Sequence, residues 1–177
     1  NALNVGRNMI GGFGTDNTAA IAAGGITPPG SATAAVESWN GTNWTEVADI
    51  GARSQLASAG ESNTAAIAAG GEPPSSGTTA VESWNGSNWT TVNSLNTGRQ
   101  ALKGAGTSTD ALVFGGTSPV TGKTEQWNGT NWTEVADLAT ARIAMGAAGT
   151  TSSALAAGGE NASGTSGTTT ESWTGAG

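Results

Sequence analysis

Along the chain, apolar residues fall in short runs that glycine, asparagine, serine and threonine interrupt. "AAIAAGG" (65–71) and "ALVFGG" (111–116) end on glycine pairs, "TAAVESW" (33–39) ends on a tryptophan, and "WTEVADI" (44–50) begins on one. No stretch keeps a 3.6-residue period, and short apolar runs bounded by turn residues read as β-strands. "TAAIAAGG" (64–71) is ambiguous by residue type, since alanine favours helix. Its shortness, its terminal glycines and its place in a recurring pattern assign it to a strand.

The pattern repeats. Glu-x-Trp occurs at Glu37/Trp39, Glu82/Trp84, Glu125/Trp127 and Glu171/Trp173, with spacings of 45, 43 and 46 residues. A glycine pair precedes each one: Gly24 and Gly25, Gly70 and Gly71, Gly115 and Gly116, Gly158 and Gly159. The four arginines of the chain, Arg7, Arg53, Arg99 and Arg142, keep the same beat. Each unit predicts a first strand after the arginine, as in "RIAMGAAGT" (142–150), and a second that ends at the glycine pair. A third carries Glu-x-Trp, and a fourth starts at a second tryptophan, Trp44, Trp89 or Trp132. Units of approximately 1–50, 51–95, 96–138 and 139–177 make one repeat array, the last lacking its final strand.

Asn-Gly between the paired tryptophans predicts a tight hairpin in which both residues tolerate positive φ. The two indoles then pair across it on one face of the sheet. A four-stranded sheet of this size does not bury its own faces, so the units must stack on one another. The expected joint is an indole pair wedged against a glycine pair, a large group on a flat one.

A glycine pair closing the second strand, then Glu-x-Trp, then a second tryptophan five residues on, resembles the kelch repeat of β-propellers along essentially the whole chain. The resemblance implies an all-β propeller of four-stranded blades, about four of them visible. It also implies that the glycine pairs and Trp39, Trp44, Trp84, Trp89, Trp127, Trp132 and Trp173 are packing residues, not ligand contacts. Kelch proteins often carry tyrosine at the first aromatic position, whereas this chain has no tyrosine. The near-identical units are also similar to repetitive kelch-like arrays in predicted proteins of marine phages. Three full units and a shortened fourth give fifteen strands where four blades need sixteen. A window on a longer array is favoured, because kelch rings more often have five to seven blades. A four-blade circle short of one strand and a ring closed by two chains stay open.

Composition narrows the function. Net charge is −7 with only six basic residues, which argues against nucleic acid, whose phosphates need a basic face. It fits an acidic, exposed protein. No apolar run reaches the roughly 20 residues of a membrane helix, so no membrane insertion is expected, and no signal-peptide pattern is present. With no His, Cys or Tyr, the chain lacks the parts of a His-assisted nucleophile, a thiolate or an imidazole metal site. Kelch-like galactose oxidases hold copper with Tyr, His and Cys, and sialidase-like propellers use a Tyr nucleophile, so composition excludes both. Glycoside hydrolysis needs two carboxylates at a defined separation. Glu37, Glu82, Glu125 and Glu171 instead occupy equivalent places in every unit, and a structural role is preferred. The expectation is no enzyme, no cofactor and no metal.

Binding candidates remain. Arg7, Arg53, Arg99 and Arg142 lead into the first strands, where ion pairs or capped carbonyls, with the Glu series as partners, are the favoured role. The sharper reading is an anionic ligand held by bidentate arginine at the ring mouth. The second-to-third-strand connections "ITPPGSATAA" (26–35), "EPPSSGTTA" (72–80), "TSPVTGK" (117–123) and "ENASGTSGTT" (160–169) vary while the Asn-Gly hairpins barely do. Strand alternation puts these connections on one face, and loops on a rigid scaffold are where binding usually sits. Pro28, Pro73 and Pro119 mark that face, although drift where packing allows explains the variation equally well. Sugar stacking on the tryptophans is the less favoured alternative to core packing. Lys103 and Lys123 break the repeat and read as exposed solubilising charges. Asn40, Asn43, Asn85, Asn88, Asn128, Asn131 and Asn161 fit the Asn-x-Ser/Thr sequon but read as turn chemistry. The functional expectation is a structural or binding module of a phage virion surface or fibre, extracellular, that meets other virion subunits or a host-surface glycan or protein. Self-association is left open, and a bacterial extracellular carbohydrate-binding propeller is the alternative.

Overall fold

The computed structural model describes residues 1–73, 76–117 and 119–175. Blade 1 contains β1 (Gly11–Asp16), β2 (Ala19–Ala23), a small ribbon of β3 (Ile26–Thr27) and β4 (Ser31–Ala32), then β5 (Val36–Trp39) and β6 (Trp44–Val47). Blade 2 contains β7 (Ala57–Ser62), β8 (Ala65–Ala69), β9 (Val81–Trp84) and β10 (Trp89–Thr91). Blade 3 contains β11 (Lys103–Gly106), β12 (Ala111–Phe114), β13 (Thr124–Trp127) and β14 (Trp132–Val135). Blade 4 contains β15 (Gly146–Thr150), β16 (Ser153–Ala157) and β17 (Thr170–Trp173), three strands among the described residues. Each sheet is antiparallel with its strands in sequence order apart from the β3–β4 ribbon, which stands outside the blade 1 sheet. The four sheets stand in a ring, the arrangement of a four-blade β-propeller, with β1 beside β7, β7 beside β11 and β11 beside β15 along the axis.

The alanine-rich runs are strands because the chain allows nothing longer. "AAIAA" (19–23 and 65–69) is too short to repay helix nucleation, and a glycine at positive φ follows each copy, Gly24 at 62° and Gly70 at 63°. As strands, these residues present small side chains to both faces, so two sheets can approach closely.

Each successive pair of blades shares one apolar core. Phe13, Ile21, Ala23, Val36 and Val47 of blade 1 meet Leu56, Ala66, Ala68, Trp84 and Trp89 of blade 2. The same positions recur between blades 2 and 3, where Ile67, Val81 and Leu95 face Leu102, Val113, Trp127 and Trp132. Between blades 3 and 4, Leu112, Phe114 and Leu138 face Met145, Ala154, Ala156 and Trp173. Every blade thus offers an aliphatic forward face to the tryptophan-bearing rear face of the next. On the forward face of blade 4, Leu155 is 50% exposed.

Two expectations need correction. The indoles do not wedge against the glycine pairs. Register places Trp39 opposite Ala20 and Val36 opposite Ala23, so the tryptophan lies at the far end of the strand from Gly24. What reaches the glycine step is backbone of the next blade: Gly25, Gly71 and Gly116 donate to the carbonyls of Arg53 (3.0 Å), Arg99 (2.8 Å) and Arg142 (3.0 Å). A Cβ on Gly24 would lie 2.3 Å from the Arg53 carbonyl oxygen, closer than real Cβ contacts allow. The hairpins form between the paired tryptophans as expected, but of Asn-Gly only the glycine uses positive φ. Gly41, Gly86 and Gly129 adopt φ of 89°, 92° and 88°, and the preceding asparagines do not share positive φ. Asn40 accepts through its side chain from the amides of Thr42 and Asn43 (3.0 and 2.9 Å), and Asn85 and Asn128 repeat the arrangement. Asparagine is there as an acceptor for backbone amides.

Candidate functional site

Every arginine of the repeat pairs with the glutamate of its own unit. The ion pairs are Arg7–Glu37 at 2.9 Å, Arg53–Glu82 at 2.6 Å, Arg99–Glu125 at 2.8 Å and Arg142–Glu171 at 2.7 Å. Both side chains of the Arg99–Glu125 pair are almost wholly buried, at 1% and 0% exposure. Burial pushes the guanidinium pKa of Arg53 and Arg99 down from its usual value, and the charges of Glu82 and Glu125 pull it back up.

The pair works as a clasp. Arg99 also donates to the carbonyls of Gly115 (2.8 Å) and Lys123 (2.6 Å), and Arg142 to those of Gly158 (2.9 Å) and Thr169 (2.6 Å). The guanidinium thus ties the end of the second strand to the start of the third. On the other side, each carboxylate accepts a backbone amide from the segment that leads into the arginine: Asn4, Gly51, Asn96 and Ala139, at 2.7, 3.1, 2.7 and 2.6 Å. The Glu of Glu-x-Trp therefore pins each blade-to-blade connection onto the blade it enters. Among the described residues, the buried Nε atoms of all four arginines have no hydrogen-bond partner.

The variable connections share this end of the ring. The residue after each arginine bridges the residue after each glycine pair: Asn8 with Ile26, Ser54 with Glu72, Gln100 with Thr117 and Ile143 with Glu160. Arg7 and Pro28 line one cleft of about 390 Å³ together with Asn8, Ile26, Thr27 and Pro29, and Pro28 is exposed at the tip of the β3–β4 ribbon. Arg142 lines a smaller cleft of about 70 Å³ with Thr140, Asn161, Thr165 and Thr169. The Arg7 side chain is itself 0% exposed, so the groups that face solvent in the first cleft belong to the loop and the backbone. Pro73 is half-buried and Pro119 exposed. Their neighbours Pro74, Ser75 and Ser118, which belong to the same variable segments, lie outside the described residues.

The two lysines diverge from each other. Lys123 makes a surface ion pair with Glu134 at 2.8 Å, and that hydrogen bond raises its pKa. Lys103 is half-buried and lines the axial channel of about 210 Å³, with Gly12, Leu56, Ser58, Met145 and Ala147. Its place on the axis differs from the exposed position expected.

Around the mouth of the axis run residues that sequence reasoning missed. Met9, Gln55, Ala101 and Ala144 all hold positive φ, 53° to 55°. Gln55 donates to the Met9 carbonyl, Ala101 to that of Gln55 and Ala144 to that of Ala101, at 2.9, 2.9 and 3.1 Å. None is glycine or asparagine, the usual signs of this conformation. Only their constant place two residues after each arginine could have marked them. The chain matches no protein-family model and no curated protein.

Proposed function

We propose that this chain is a non-catalytic, kelch-like binding or structural module of a phage virion surface or fibre, which contacts the host surface or other virion subunits through its variable connections. One observation carries the reading. Four connections that differ in length and sequence sit at one end of a ring whose repeated charges are consumed internally as Arg–Glu clasps. Such a scaffold holds its loops rigidly and leaves their sequence free to vary. The acidic composition and the absence of His, Cys and Tyr from the sequence favour a surface role over chemistry.

The experiment is binding of the 177-residue protein to host-cell surfaces and to a broad glycan array, with two replacement sets. Replacing the connections at 26–35 and 160–169 by glycine-serine linkers is expected to abolish binding. Replacing the hairpins at 40–43 and 85–88 by one another is expected to leave it unchanged. Binding that survives the loop replacements, or that maps to the hairpin end, contradicts the reading.

A second reading, a bacterial carbohydrate-binding propeller, is favoured by one feature. Trp39 and Trp44 are half-buried, with ring centroids 5.4 Å apart and a 43° tilt, whereas Trp84, Trp127 and Trp132 are buried. An open indole pair is a stacking surface for a sugar face. Under this reading Trp44→Ala removes glycan binding while the loop replacements do not, which separates the two.

A further inference from the structure

The chain has six basic residues, and five of them meet a glutamate: Arg7, Arg53, Arg99 and Arg142 in the clasps, Lys123 at the surface. Among the described residues, Lys103 alone is a basic side chain without an ion pair. It also breaks the repeat. Gly11, Ala57, Lys103 and Gly146 open the innermost strands β1, β7, β11 and β15, each four residues after its arginine. Three blades thus place a glycine or an alanine where blade 3 places a cation. A residue that only packs its blade would follow the repeat, as the clasps and the tryptophans do.

Two cavities meet at Lys103. Together with Ile10 and Leu56 it lines both the axial channel of about 210 Å³ and a second cavity of about 160 Å³ at the mouth. Both far exceed the roughly 10–15 Å³ that one water needs. The channel side is walled largely by glycine backbone, at Gly11, Gly12, Gly104 and Gly146. The innermost strands have no strand partner on that side, and an unpaired strand edge presents main-chain N–H groups. The mouth side is mostly aliphatic, with Met9, Leu56, Ala101 and Ala144, and its amide side chain, Gln55, donates to Glu72. Among the described residues no acidic side chain lines either cavity, although the chain carries 13 of them. A lone ammonium, N–H donors and the exclusion of carboxylates make the axis locally electropositive in an acidic protein.

We propose that the axis binds a short-chain aliphatic carboxylate at Lys103. The carboxylate takes the Lys103 ammonium as its counter-charge and accepts from main-chain N–H groups on the channel side. Its hydrocarbon end lies in the mouth against Met9, Leu56 and Ala144. One ammonium balances one negative charge, and aliphatic walls disfavour a second, so a monocarboxylate fits better than a phosphate. The proposal does not depend on what the variable connections bind.

The test titrates the 177-residue protein with sodium butyrate at constant ionic strength and follows methyl and amide resonances by NMR. Saturable one-to-one shifts are expected at Met9, Leu56, Ala144 and Gly104. Acetate is expected to bind about tenfold more weakly, for the two methylenes it lacks. Butyramide, the neutral isostere, is expected to give no saturable shift. These comparisons leave the protein untouched, so misfolding does not confound them. Lys103→Met is expected to abolish the butyrate shifts, and Lys123→Met to preserve them. Absence of saturable shifts at tens of millimolar butyrate, equal binding by butyramide or by inorganic phosphate, or shifts that persist in Lys103→Met would overturn the proposal.

Discussion

At the residue scale, the Arg–Glu clasp explains why both charges recur once per unit in a chain that is only 11% charged. A buried ion pair adds little net stability over an apolar pair, but removing one partner strands the other. Glu125→Ala leaves the Arg99 guanidinium, which is 1% exposed, without its counter-charge. It should cost about 3 to 5 kcal/mol, measured by urea denaturation. The double variant Arg99→Met with Glu125→Leu should lose less than the single one. The periodicity of arginine, glutamate and diglycine was legible in the sequence, and ion pairing with the Glu series was the preferred expectation. The partner of the diglycine was not legible, because the next blade's arginine contributes its carbonyl, which every residue type carries. Gly70→Ala tests that contact. Its Cβ would lie 2.7 Å from the Arg99 carbonyl at a φ of 63°. The expected loss is about 1 to 3 kcal/mol, whereas Gly12→Ala, with only one contact at 3.9 Å, should be close to neutral.

At the element scale, the two-tryptophan hairpin is both a cross-strand pair and the rear face of an interface. Trp39, Trp84 and Trp173 also donate to the carbonyls of Asn17, Asn63 and Thr151, at 2.8, 2.9 and 2.7 Å, and so fasten the third strand to the turn between the first two. Pairing of the indoles on one face followed from their spacing and is what the register shows. Their packing surface did not follow, because a strand's neighbour in the next sheet is set by three-dimensional stagger and leaves no local sign. Trp127→Ala should cost about 3 to 5 kcal/mol. Trp44→Ala, at a half-buried position on blade 1, should cost only about 1 to 2 kcal/mol. Thermal melts of the two variants compare them directly, and equal losses would contradict the difference in packing. The β3–β4 ribbon at the Pro28 loop went unforeseen, because two-residue strands fall below any periodic signal.

At the scale of the whole molecule, the repeat makes each sheet bury its neighbour's face, and the backbone bonds among Met9, Gln55, Ala101 and Ala144 gather the sheets about one axis. The all-β, four-stranded units were legible from their strand content, while the ring was only what the kelch resemblance implied and a circle of four blades was one of the alternatives left open. The axial mouth was not legible, because positive φ at Gln55 or Ala144 has no residue-type signature. The central claim is that four units turn back on themselves instead of extending in a line. Since the chain has no cysteine, spin labels can be placed pairwise at 9 with 55, 9 with 101 and 9 with 144, and their separations measured by pulsed dipolar spectroscopy. The ring predicts that the 9–144 distance is no longer than the 9–101 distance, and distances that grow steadily with each added unit would contradict it.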